Sequence, residues 1–87
     1  MNSDIEQLKK KIIYRSNYRG SKEMDKLLSS FVKHIIDKFD YQELKDLEMF
    51  LNLDDNNIYE FYKGTDKNIN FKNQNILDLF KNFKIKN

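Results

Sequence analysis

Apolar residues return at three- and four-residue steps along most of this chain, and short polar stretches separate five segments in which they do so. In the first, from about Asp4 to Tyr18, Ile5, Leu8, Ile12 and Ile13 keep a helical period, with Ser3 or Asp4 as the cap. Gly20 follows, where a left-handed residue commonly stops a helix. The second segment carries the strongest pattern: Met24, Leu27, Leu28, Phe31, Val32, Ile35, Ile36 and Phe39 form one wide apolar face, as in the central helix of a bundle. Gly20 and Ser21 open it, and Glu23 lies in its first turn, where the helix dipole favours a negative charge. A third helix, Tyr41 to Leu51, presents Leu44, Leu47, Phe50 and Leu51, with Asp40 as its cap. The run Asp54-Asp55-Asn56-Asn57 resets the chain, because short polar side chains compete with helical hydrogen bonds and favour caps and turns. A short fourth helix, Ile58 to Tyr62, is closed by Gly64, and Thr65 to Asn75 reads as loop. The last helix, Asn75 to Phe83, gathers Ile76, Leu79, Phe80 and Phe83 on one side. Lys84 to Asn87 is expected to fray. No segment alternates as a strand would. The expectation is an all-α fold: one domain over residues 1–87, with a core at about 4–83 and about five helices.

Size and composition narrow what such a bundle can do. A chain of 87 residues buries roughly 60–65% of the surface its unfolded form exposes, so its pockets must be shallow. Without cysteine it can build neither a disulfide nor a thiolate metal site. Proline is absent and glycine occurs only at Gly20 and Gly64, which lets helices run and makes each glycine a boundary. The net charge of +2 comes from interspersed residues, and the one basic run is Lys9-Lys10-Lys11, continued by Arg15 and Arg19. A small nucleic-acid-binding module, with that basic helix meeting phosphate, is the alternative function this sequence permits; the near-balanced charge weighs against it, and no nucleic-acid partner is expected. No apolar stretch approaches the ~20 residues of a membrane span, so no membrane insertion is expected. Asp4 and Glu6 near the start, without an apolar leader or transit pattern, point to the bacterial cytoplasm ahead of the mitochondrial matrix.

Fourteen of the sixteen basic residues are lysine; the two arginines, Arg15 and Arg19, stand four apart on one side of a helix. Arginine offers what lysine lacks, a planar fork that pairs bidentately with carboxylates and stacks on rings. Tyr14 and Tyr18 flank the pair, Gly20 follows at once, and Glu23 lies four residues beyond Arg19. These residues suit a binding surface. They also suit a plain helix stop with a surface Arg19–Glu23 ion pair, and taken alone they do not separate the two. His34, the one histidine, has no second His or Cys to make a metal site. Asp54 and Asp55 read as caps ahead of acid-base groups, and Tyr59, Phe61 and Tyr62 as packing ahead of a stacking platform. No nucleophilic triad or phosphate-binding glycine loop can be assembled, so an enzyme is not expected.

The run YRSNYRGSKEMDKLLSSF, Tyr14 to Phe31, resembles the signature of the succinate dehydrogenase assembly factors, or flavinators. Tyr14, Arg15, Ser16, Arg19, Gly20, Glu23, Asp25, Leu27, Leu28 and Phe31 match as they stand. The block LNLDDNNIYEFYKG, Leu51 to Gly64, is similar to that family's acidic turn and the helix after it, so the resemblance spans about Leu8 to Gly64. Three positions depart from the pattern: Tyr18 replaces the first arginine of a pair, Asn57 an acid and Phe61 a tryptophan. The resemblance implies a helper that binds the flavoprotein subunit of succinate dehydrogenase, with that of fumarate reductase as a further candidate. It would promote covalent attachment of FAD to that subunit, holding no cofactor or metal of its own and staying monomeric when free. It assigns Arg19, Gly20 and Glu23 to the partner-binding surface, with Arg15 and Tyr18 at its edge.

Overall fold

The helix with the widest apolar face is also the one that buries the most residues. In a computed structural model that describes residues 2–65 and 69–85, with side chains from residue 4, the second helix runs from Lys22 to Ile35. It buries Met24, Leu27, Leu28, Phe31, Val32 and Ile35. Around it lie α1 (Asn2–Asn17), α3 (Tyr41–Leu51), α4 (Asp55–Lys63) and α5 (Gln74–Asn82), the enclosed helix being α2. These five α-helices and one 3-10 turn, Ile36–Lys38, are the regular elements among the described residues, and the all-α expectation holds.

Local chemistry sets most boundaries. Ser21, extended, accepts from Met24 N at 3.2 Å and starts α2. The expected continuation to Phe39 does not occur: the chain tightens into the 3-10 turn and becomes extended at Phe39. That conformation delivers Asp40 as the cap of α3, and a 3-10 turn is a common way to finish a helix. Asp40 and Glu43 form a reciprocal capping box, Glu43 N donating to Asp40 Oδ1 at 2.8 Å and Asp40 N to Glu43 Oε1 at 3.0 Å. The first helix begins at Asn2, so Ser3 and Asp4 fall inside its first turn and do not cap it.

Of the cap and the turn open to the polar run at 54–57, the structure takes the cap. Asp54 accepts from Asn56 N and Asn57 N at 3.1 and 3.3 Å, and α4 starts at Asp55, three residues before the expected Ile58. A good cap with an acid in the first turn outweighs the weak helix propensity of two asparagines. At the far end Gly64, φ +83, closes a Schellman motif with Gly64 N on Phe61 O and Thr65 N on Glu60 O.

Asn73 couples the last helix to the bundle. Its Oδ1 accepts from Ile76 N at 3.1 Å, capping α5, while its Nδ2 donates to Asp46 Oδ2 at 2.8 Å. Gln42 serves the other oxygen of this buried carboxylate at 3.2 Å. Asn73→Ala should therefore remove about 0.5–2 kcal/mol, the range for losing a side-chain cap. A lowering of the thermal midpoint by about 4–8 °C per kcal/mol would register it. No change would mean that the cap does not hold α5.

On α5 the buried face is Ile76, Leu77 and Phe80, and Leu79, expected inside, is 38% exposed at the rim. Phe80 meets Phe31 and Phe50 edge-on, ring centres 5.0 and 5.2 Å away, favourable geometry for aromatic pairs. Phe83 joins Phe31 at 5.6 Å, and its carbonyl accepts from the Tyr62 hydroxyl at 2.6 Å. The expected loop holds Ile69 and Phe71 half-buried against the core, while Gln74 and Asn75 belong to α5. Of the expected frayed end, Ile85 packs on the core. Lys86 and Asn87, like 66–68 of the loop, lie outside the described residues.

Candidate functional site

Two turns far apart in sequence meet at one end of the bundle. The first, residues 18–21, joins α1 to α2. Ser16 Oγ and Asn17 Nδ2 both donate to Ile13 O, at 2.8 and 2.9 Å, and side-chain bonds of this kind compete with continuation of the helix. Gly20 then takes φ +103, a conformation that L side chains rarely adopt. The turn is held from the α2 side: the backbone N–H of Arg19 donates to Asp25 Oδ1 at 2.5 Å.

The second turn, residues 52–54, joins α3 to α4, and the two arginines reach across to it. Arg15 Nη1 donates to the side-chain oxygen of Asn52. Arg19 goes deeper. Its Nε and Nη2 donate to Asp55 Oδ1 at 2.9 and 2.5 Å, Nη1 to Leu51 O at 2.6 Å, and Nη2 also to Leu53 O at 3.3 Å. A longer contact at 3.5 Å joins Nη1 to Arg15 O. Its side chain is 11% exposed and that of Asp55 29%. Leu51 O lies at the end of α3, where carbonyls lack helical partners, so the guanidinium satisfies a need the helix itself creates. Lysine, a compact point charge, lacks the planar three-nitrogen fork that reaches these oxygens from different sides.

The remaining residues of the expected site face solvent. Glu23 is exposed, and no hydrogen bond or ion pair engages it among the described residues; the alternative Arg19–Glu23 pair does not form. It borders a shallow groove of about 240 Å³ lined by Ser21, Glu23, Met24, Asp55, Asn56 and Tyr59. A side chain added at Gly20 would meet nothing within 4 Å, so the turn presents bare backbone to open space. Tyr14 and Tyr18 are 65% and 71% exposed, their ring centres 4.7 Å apart, an aromatic step beside the turn.

Other candidates lie elsewhere. His34 is exposed near the far end of α2, 5.4 Å from the Phe83 ring. Among the described residues no three His, Cys, Asp or Glu side chains gather as a metal site would require. Asp54 is a cap, Phe61 is buried, and Tyr62 is tied to Phe83, as packing residues would be. Sequence reasoning missed Asp25 and Asp55 as organisers of the turn. The only sign of Asp25 was its place in the family pattern, and nothing local marked Asp55, because its partner lies 36 residues away.

Comparison with known proteins bears on this end of the molecule. The model of a family described as flavinator of succinate dehydrogenase matches residues 10–84, a span that contains both turns. The chain belongs to the succinate dehydrogenase flavinator family. The match runs beyond the expected limit at Gly64 and takes in α5. Among curated proteins, the succinate dehydrogenase assembly factor 2, mitochondrial, of Dictyostelium discoideum is 39% identical over 59 residues. That alignment covers 68% of this chain and 42% of the relative, so the chain spans less than half of the relative's length. No solved structure matches it. Members of the flavinator family are assembly factors of succinate dehydrogenase.

Proposed function

We propose that this chain binds the flavoprotein subunit of succinate dehydrogenase and promotes the covalent attachment of FAD to a histidine of that subunit, without being the catalyst of the bond. The observation that carries the reading is the surface around Gly20. There two exposed tyrosines, bare backbone and an unpaired carboxylate (Glu23) follow one another along the chain from Tyr14 to Glu23, within the family's matched span. Bond formation is the chemistry of the flavin and the partner's histidine. The helper contributes orientation, holding the partner so that the reacting atoms stay in register, an effect that accounts for much of many enzymes' power. Glu23 accepts charged hydrogen bonds from the partner, Gly20 allows its backbone to come close, and Arg15 with Tyr18 forms the rim. The chain acts as a monomer and carries no cofactor or metal.

The nucleic-acid-binding alternative asks the basic residues from Lys9 to Arg19 to be free for phosphate, yet several are engaged. Lys9 pairs with Asp37 at 3.2 Å, Lys11 with Glu48 at 3.1 Å, and Arg19 with Asp55. The compartment follows the partner. The Dictyostelium relative is mitochondrial by name, and a mitochondrial setting stands beside the bacterial cytoplasm expected from sequence.

Co-expression with a flavoprotein subunit, followed by denaturing gels read for flavin fluorescence, tests the proposal. Covalent flavin should rise when the chain is present, and the two proteins should co-purify. Equal fluorescence with and without the chain, and no co-purification, would sink the reading.

A further inference from the structure

The arginine assigned to the partner has little left to offer one. The Arg19 side chain is nearly buried, and its three nitrogens are engaged by Asp55 Oδ1 and by the carbonyls of Leu51, Leu53 and, more distantly, Arg15. A partner group that claimed this guanidinium would have to displace bonds the chain already makes in a partly desolvated place, where unpaired groups are costly. What Arg19 does instead is fix position. It ties the residue before Gly20 to the end of α3 and the start of α4, while Asp25 holds the same residue by its backbone N–H. Gly20 follows directly, with open space around it, and Glu23 stands in the first turn of α2 just beyond.

We infer that Asp55 is a positioning residue for partner capture, acting through Arg19, and that Arg19 itself does not touch the partner. The inference rests on the function proposed above and gives the acidic start of α4 a part in it. Asp55 is the one carboxylate on the fork. It receives two of its N–H groups on one oxygen, and its other oxygen takes no hydrogen bond among the described residues. Replacing it leaves a guanidinium with carbonyl acceptors alone. The fork can then rotate, and the Gly20 turn with it. Asp55 also lines the groove beside Glu23, so a direct contact with the partner is the rival explanation, and the two differ in how they combine with changes at Arg19.

A double-mutant cycle on the full chain separates them, with affinity for the purified flavoprotein subunit measured at a temperature where every variant is folded by circular dichroism. Asp55→Asn and Arg19→Lys should each weaken binding about tenfold or more. The double variant should be no worse than the poorer single one, since residues of one network do not add. Asn73→Ala, which destabilises α5 far from the turn, should bind as wild type, and this excludes general loosening as the cause. Should Asp55→Asn melt below the assay temperature, Asp55→Glu keeps the charge while moving it outward by one methylene, and a smaller loss of the same kind is expected. Wild-type affinity in a folded Asp55 variant overturns the inference, and so do losses at Asp55 and Arg19 that multiply. If the wild-type chain itself fails to bind the subunit, the proposed function falls and this inference with it; normal wild-type binding with unaffected variants removes the inference alone.

Discussion

Phe31→Ala is expected to leave the chain largely unfolded at moderate temperature. Phe31 is fully buried on α2, with Phe50, Phe80 and Phe83 around it at ring distances of 6.4, 5.0 and 5.6 Å. Three elements thus converge on one side chain. Truncating a buried phenylalanine costs about 3–5 kcal/mol, from lost transfer energy and the cavity left behind. A domain of this size holds roughly 4–13 kcal/mol in total. The thermal midpoint should fall by about 12–40 °C, followed by far-ultraviolet circular dichroism. A loss under about 1 kcal/mol would mean that the aromatic cluster is not the keystone of the core.

The second large effect falls on function and spares the fold. Gly20→Leu places a side chain where φ is +103, at a cost of about 1–2 kcal/mol for the strained backbone. Nothing lies within 4 Å of the new Cβ, so no clash adds to that cost and the helices should persist. The new side chain does, however, project into the open space at the turn, which in the proposed function the partner must approach. Covalent flavin formed on the co-expressed subunit should drop about 30-fold or more, the scale of losing a binding hot spot. Gly64→Leu is the matched control: φ is +83, the surroundings are equally open, and the site is the far end of α4. It should lose comparable stability and keep full activity. If the two variants flavinylate alike, the surface at Gly20 is not the working one.

How far the sequence foretold this molecule depended on the range of the interaction. The apolar period of α2 is local and was readable, as were the caps at Ser21 and Asp40 and the stop at Gly64. The start of α4 misled, because Asp-Asp-Asn-Asn carries the chemistry of turns and caps alike. Only the bonds from Asn56 and Asn57 to Asp54 show that the cap prevailed. Leu79 misled for a related reason: a nine-residue helix presents two adjacent apolar rows, and its neighbours decided that Leu77 goes inside. Within the candidate site, the two arginines beside a glycine drew attention to the right segment. Which of them points inward was not readable. Three of the acceptors that hold Arg19 are backbone carbonyls, which have no residue type, and the carboxylate stands 36 positions further on.

That separation has a consequence for how the chain comes to be useful. The contact between the Arg19 turn and the α3–α4 turn closes a loop of more than thirty residues, and such closures follow the local helical contacts that repay their entropy sooner. The orientation of the Gly20 turn is therefore set with the long-range contacts, after the helices themselves. A chain with its helices formed but its two turns undocked would carry every residue of the motif and still present the wrong shape. A partner that reads this corner of the surface engages finished molecules and passes over half-made ones, a form of quality control that needs no separate sensor.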